Sequence, residues 1–90
     1  MTNKDFLEMA KTKVWEYEHS RGNNISLSDI YIVWSCKTLQ NSKALISGKQ
    51  TLYYEFTLNG DKNEFYMDVY SKTENICFDS MGNKNTLLIR

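Results

Sequence analysis

The side chains here whose chemistry could go beyond packing are one histidine, His19, two cysteines, Cys36 and Cys77, and the carboxylates Glu55, Glu64 and Asp68. A histidine general base needs a nucleophile and an orienting group within hydrogen-bond reach. Cys36 or the adjacent Ser35 is the only pairing that can be built for it. His19 falls near the end of a predicted helix, where the negative helix end favours its charged form. A lone histidine there reads as a surface residue, and the two cysteines read as small buried hydrophobes. One histidine and two distant cysteines would need carboxylates gathered from separate elements to hold zinc, and no spacing in the chain does so. Glu64 and Asp68 share one face of a predicted strand, with Glu55 nearby. Paired carboxylates can do acid–base work, but on a small sheet they are ordinarily a solvated face. Asn59-Gly60-Asp61-Lys62 has no following helix whose N-terminus would hold a phosphate, so it reads as a hairpin turn. The expectation is a non-enzyme with neither metal nor cofactor.

The elements that position these residues are legible from periodicity. Phe6, Leu7, Ala10, Val14 and Tyr17 recur at helical spacing, while Lys4, Glu8, Lys11 and Glu18 fall elsewhere. Thr2 can cap this helix, Asp5 faces its positive end, and Arg21-Gly22 supplies the stop, giving a helix over about residues 3–20. A polar loop follows, whose Ile25 and Leu27 are expected to pack back onto the sheet.

From Ile30 the period becomes two, with Ile30, Ile32, Trp34 and Cys36 on one face and Tyr31, Val33, Ser35 and Lys37 on the other. A turn near Gln40–Ser42 and a short strand at Lys43–Ser47 come next. The hairpin Thr51–Leu58 and Asn63–Tyr70 then closes through a turn at Asn59-Gly60-Asp61-Lys62. A tight two-residue loop would set Glu55 opposite Glu64. A four-residue loop avoids that like-charge pair and sets Glu55 opposite Tyr66, Thr57 opposite Glu64 and Phe56 opposite Phe65. It sends Leu52, Tyr54, Phe56, Leu58, Phe65, Met67 and Val69 toward the helix. Beyond Tyr70 the signal weakens: Ile76–Phe78 is a candidate last strand, and residues 79–90 form a tail containing Leu87-Leu88-Ile89.

The predicted architecture is one α+β domain spanning residues 1–90, an N-terminal helix across an antiparallel sheet of four or five strands (about residues 30–78) in largely sequential order, cystatin-like or similar. Its core is expected to contain Phe6, Ala10, Val14, Tyr17, Trp34, Tyr54, Phe56, Phe65 and Met67. A chain of 90 residues buries only about 60–65% of its unfolded surface, but 13% aromatic residues put much area into few side chains. Two cysteines make no disulfide framework, and no charged segment followed by an apolar one opens the chain, which points to an intracellular protein. Eleven basic against eleven acidic residues lack the footprint of a protein that grips nucleic acid by its phosphates. No apolar run is long enough to span a membrane.

Functional content concentrates on the sheet face turned from the helix. Tyr31, Val33, Tyr53, Tyr66 and Tyr70, interspersed with Lys37, Glu55 and Asp68, have the composition of a protein-binding patch or dimer face. Stacking of single-stranded bases on these aromatics, helped by Lys37 and Lys43, is the weaker alternative at zero net charge. A small enzyme or nucleotide-binding protein using Cys36, His19 or the Glu64/Asp68 pair is the other. With no proline to block its edges, such a sheet is also expected to form a homodimer.

The stretch Val33-Trp34-Ser35-Cys36-Lys37-Thr38-Leu39-Gln40-Asn41, with Tyr53-Tyr54-Glu55 and Asn59-Gly60-Asp61-Lys62-Asn63-Glu64 ahead of Tyr66, resembles a family of small uncharacterised proteins encoded by phages and prophages of Gram-positive bacteria. The likeness covers roughly Trp15 to Phe78, and its motifs carry no known catalytic residues. It implies an accessory protein of the bacterial cytoplasm that binds, and often inhibits, a host or defence protein, as an anti-CRISPR-type inhibitor does.

Overall fold

The computed structural model describes residues 1–48 and 52–84. Helix α1 (Asn3–Ser20) is followed by a single 3-10 turn (Leu27–Asp29) and four strands, β1 (Tyr31–Thr38), β2 (Asn41–Ser47), β3 (Leu52–Asn59) and β4 (Glu64–Ser71). The strands form one antiparallel sheet in the order β1-β2-β3-β4. One N-terminal helix on an open sequential sheet is the α+β arrangement expected.

α1 begins where the Thr2 hydroxyl accepts the Asp5 N–H at 3.0 Å and stops at Arg21, with Gly22 left-handed at φ 85°. Its buried residues are Phe6, Ala10, Val14 and Glu18, a ridge of every fourth residue. The ridge lies over the middle of the sheet, where Ser42, Ala44 and Ile46 of β2 and Tyr54, Phe56 and Leu58 of β3 are buried in alternation. Small side chains at Ala10 and Ala44 keep the approach close. Phe65 joins this core edge-on to Phe6 and beside Phe56, at ring-centroid distances of 5.7 and 5.4 Å. Tyr17 and Met67 pack against it half-buried. Ile25 is buried as expected, whereas Leu27 is exposed because the 3-10 turn carries it away from the sheet.

The strand alternation breaks in β1. Ile32 pairs with Ile46, but the next paired residue is Trp34, opposite Leu45, which leaves Val33 as the extra residue of a bulge. One added residue inverts every side chain after it, because the strand period is two. Trp34 and Cys36 therefore leave the helix side for the open face, and Ser35 and Lys37 take their place. Trp34 is not a core residue: it is 44% exposed. Cys36 is exposed as well, not a buried hydrophobe, and Cys77 is half-buried.

The β3–β4 hairpin has the expected four-residue loop and the expected faces, but its register is shifted by two. The loop is 60–63, and Glu55 pairs with Asp68, Phe56 with Met67, Thr57 with Tyr66 and Leu58 with Phe65. Local geometry decides this against charge. The Asn59 side chain accepts the Lys62 N–H at 3.2 Å, and Asn63 adopts φ 55°, so Asn59 stays in the strand. The two hairpin tips also lock together: Gly60 N–H donates to the Asn41 side chain at 3.2 Å and Gln40 donates to Asp61. A Cβ at Gly60 would sit 2.2 Å from the Gln40 carbonyl oxygen. The like-charge pair, worth roughly 0.2–1 kcal/mol, is the smaller term.

After β4 the described chain makes only an isolated bridge between Phe78 and Lys84, not a strand at Ile76–Phe78, since Ile76 and Phe78 are exposed and offer no face to bury. Leu87, Leu88 and Ile89 lie outside the described residues.

Two stability predictions follow from this packing. Phe56→Ala should cost about 3–5 kcal/mol, and a loss below about 1 kcal/mol in a urea titration would remove Phe56 from the core. Leu39, at the β1–β2 turn, is 82% exposed and held at φ 57°, a conformation costing a side-chain-bearing residue about 1–2 kcal/mol. Leu39→Gly should therefore raise the urea midpoint, and a lowered midpoint would show that its side chain packs.

Candidate functional site

The face of the sheet turned from α1 is uncovered among the described residues, and strand pairing arranges it in rows. Trp34, Leu45, Glu55 and Asp68 form the central row; Cys36, Lys43, Thr57 and Tyr66 lie on one side of it, and Tyr31, Ser47, Tyr53 and Tyr70 on the other. Tyr31, Tyr53, Glu55, Tyr66, Asp68 and Tyr70 stand where the sequence pattern puts them. Val33 is exposed in the bulge. Lys37 is not on this face: the inversion turns it to the helix side, where it lines a cavity of about 160 Å³ with Met1, Leu58 and Gly60. Trp34 and Leu45 are the residues sequence reasoning missed, and no local signal such as glycine marks the bulge that moved Trp34.

Glu55 is the electrostatic hub. Its carboxylate lies 3.6 Å from Lys43 Nζ and accepts the Tyr70 hydroxyl at 3.3 Å, with Asp68 directly across the strand pair. The Glu55 charge, aided by burial and by Asp68, raises the Tyr70 hydroxyl above the ordinary tyrosine range. No cation of the described residues lies within ion-pair distance of Asp68 or Glu64.

The candidate catalytic residues are not brought together. Cys36 lies on the open face, whereas His19 lies on the helix side, half-buried rather than free at the surface. Its Nε2 is 2.9 Å from the Ile25 carbonyl oxygen and so carries the proton and donates it. Its ring lies against Trp15 with centroids 3.9 Å apart. Both contacts make it a pin between α1 and the following loop. Glu64 and Asp68, four strand positions apart, are separated by about 13 Å of backbone, beyond the spacing that paired glycosidase carboxylates use. A second cavity, of about 300 Å³, is lined by Glu8, Lys11, Thr12 and Leu27 and holds none of these groups. Among the described residues no three His, Cys, Asp or Glu side chains gather as a metal site, and no helix is long and apolar enough to cross a membrane.

The polar group the periodicity misplaced is Glu18, which is fully buried rather than solvated. It ends the α1 ridge above Tyr54, whose hydroxyl donates to one carboxylate oxygen while the Asn23 amide donates to the other at 2.7 Å. Tyr17 packs edge-on to Tyr54 at 5.8 Å and accepts from Arg21 at 3.0 Å. Burial, then the hydrogen bond to Glu18 and its charge, hold the Tyr54 hydroxyl well above the ordinary tyrosine range. This network fastens the helix to the sheet.

A family model matches residues 7–80, and the chain belongs to that family, described as a family of unknown function (DUF6275). No curated protein and no solved structure matches it significantly.

Removing the Tyr54 hydroxyl deprives a buried carboxylate of a donor, so Tyr54→Phe should cost about 1.5–3 kcal/mol near neutral pH. Because folding raises the hydroxyl's pKa, the stabilisation tied to its protonated form is complete below the unfolded value of about 10 and is lost as pH rises through the higher folded value. Urea titrations in alkaline solution should show wild-type stability falling above about pH 10 more steeply than that of Tyr54→Phe. Parallel curves would remove Tyr54 from the linkage.

Proposed function

We propose that this protein acts by binding another protein through the open face of its sheet, without catalysis. The observation that carries this reading is that Tyr31, Trp34, Tyr66 and Tyr70, at 58, 44, 49 and 50% exposure, stand on one face that no described element covers. Aromatic side chains bring large contact area at low entropic cost and dominate binding hot spots. Four strands of seven or eight residues offer roughly 500 Å² in plan. With the relief of the side chains added, closure by a partner reaches the low end of the roughly 1,200–2,000 Å² of a specific interface. Resemblance to small phage and prophage proteins supports the setting: an accessory protein of the infected bacterial cytoplasm whose partner is a host or anti-phage defence protein, inhibited or modulated on binding. The same face is where a second copy would close a homodimer, so partner and dimer would compete.

Tyr53→Glu/Tyr66→Glu should fold and lose the partner that wild-type protein captures from host lysate, while Cys36→Ala keeps it. In sedimentation at micromolar concentration, wild-type dimers should dissociate as purified partner is added. Capture unchanged by the double substitution would reduce the face to a bland sheet exterior.

A further inference from the structure

The chain has no net charge, but its open face does. Strand pairing puts Glu55, Glu64 and Asp68 there with Lys43 as the only strand cation among the described residues, because the bulge turns Lys37 away. Glu55 already has Lys43 and Tyr70 against it. Asp68 has neither, though it lies across from Glu55. A folded sheet that keeps two carboxylates opposed accepts a repulsion that a cation arriving from outside would relieve.

The neighbours of Asp68 narrow the kind of cation. Tyr66 and Tyr70 lie two residues to either side on the same face, about 7 Å away along the strand, and both are about half exposed. The run is aromatic, carboxylate, aromatic along an edge strand. A planar guanidinium suits this run better than an ammonium: it sheds water more readily, stacks on an aromatic face and pairs with a carboxylate through two parallel hydrogen bonds. Trp34 and Leu45 continue the central row and supply apolar area for the side chains beside the cation.

We propose, building on the reading of the open face as a protein-binding surface, that it recognises an arginine-bearing segment of its partner, with an arginine seated on Asp68 between Tyr66 and Tyr70. A second copy brings the same excess of carboxylates and does not supply that cation.

The test uses the full chain, isotopically labelled, titrated by NMR with capped alternating glycine–arginine peptides and with the same peptides carrying lysine, citrulline or glutamate. The arginine peptide should bind saturably and shift Tyr66, Asp68, Tyr70 and the Trp34 indole. Citrulline, of equal shape without the charge, should weaken binding about tenfold or more, and lysine should fall between them. Asp68→Asn and Tyr66→Ala should each weaken the arginine peptide without lowering the urea midpoint appreciably, and Asp68→Asn, which removes the repulsion with Glu55, should raise it slightly. Arginine and citrulline peptides binding alike, or shifts confined to the helix side, would overturn the inference. The two readings separate on a captured partner. Capture lost in Tyr53→Glu/Tyr66→Glu but indifferent to Asp68→Asn and to about 0.5 M salt refutes the arginine seat and leaves the binding face. Capture indifferent to all these changes refutes both.

Discussion

A helix about 10 Å across laid on four strands about 4.8 Å apart can cover only the middle of the sheet, and the rest of this protein follows from that mismatch. Ser42, Ala44 and Ile46 of β2 and Tyr54, Phe56 and Leu58 of β3 are buried beneath the ridge of Phe6, Ala10, Val14 and Glu18, whereas every residue of β1 is exposed. The edge strands reach the core only in part: Phe65 and Met67 of β4 pack against it half-buried, and no residue of β1 is buried. Ile32 is therefore exposed although it lies on the helix side, while Tyr31 and Trp34 are exposed because they face away from the helix and Val33 because it sits in the bulge. Among the described residues a single helix also leaves the opposite face with no element of its own, and that face becomes the available contact surface.

Because so little of the sheet is covered, the attachment of the helix has to be specific. Phe6 and Phe65 hold its beginning and the Glu18–Tyr54–Asn23 network holds its end. A buried carboxylate is costly unless its oxygens are satisfied, and here each accepts a donor from a different part of the chain. An apolar residue at position 18 would bury as well but would leave the Tyr54 hydroxyl and the Asn23 amide without their acceptor. His19, donating to the Ile25 carbonyl, ties down the loop that leads from the helix into β1. The polar residues of the helix end thus orient a small interface that apolar area alone would leave free to slide.

The character of the open face comes from two register decisions. The bulge at Val33 exchanges Lys37 for Trp34 and so makes the face both more aromatic and more acidic. The hairpin register then sets Asp68 against Glu55 instead of Tyr66. The bulge arises in the pairing of β1 with β2 and the hairpin register in a turn that docks on Gln40 and Asn41, and together they turn a neutral chain into one with a charged contact surface.

The helix limits, the four strands and their sequential order were legible in the sequence because capping residues, a helical stripe and alternating runs are properties of neighbouring residues. The division of β3 and β4 into two faces was legible for the same reason, and with it most of the candidate face, from Tyr53 and Glu55 to Tyr66 and Tyr70. Contacts across the chain decided what remained. The buried role of Glu18 depends on Tyr54, a residue far away in sequence, and no helical pattern announces a carboxylate that its partner will satisfy. The placement of Trp34 and Lys37 depends on one unpaired residue, which alternation cannot signal because either side of the bulge alternates perfectly well. The pairing of Glu55 with Asp68 depends on how Asn59, Gly60 and Asn63 shape a turn that docks on Gln40 and Asn41. Local pattern determined which elements form. The tertiary structure alone decided which of their side chains face one another, because strand register and helix position are set by packing between segments that the sequence holds apart.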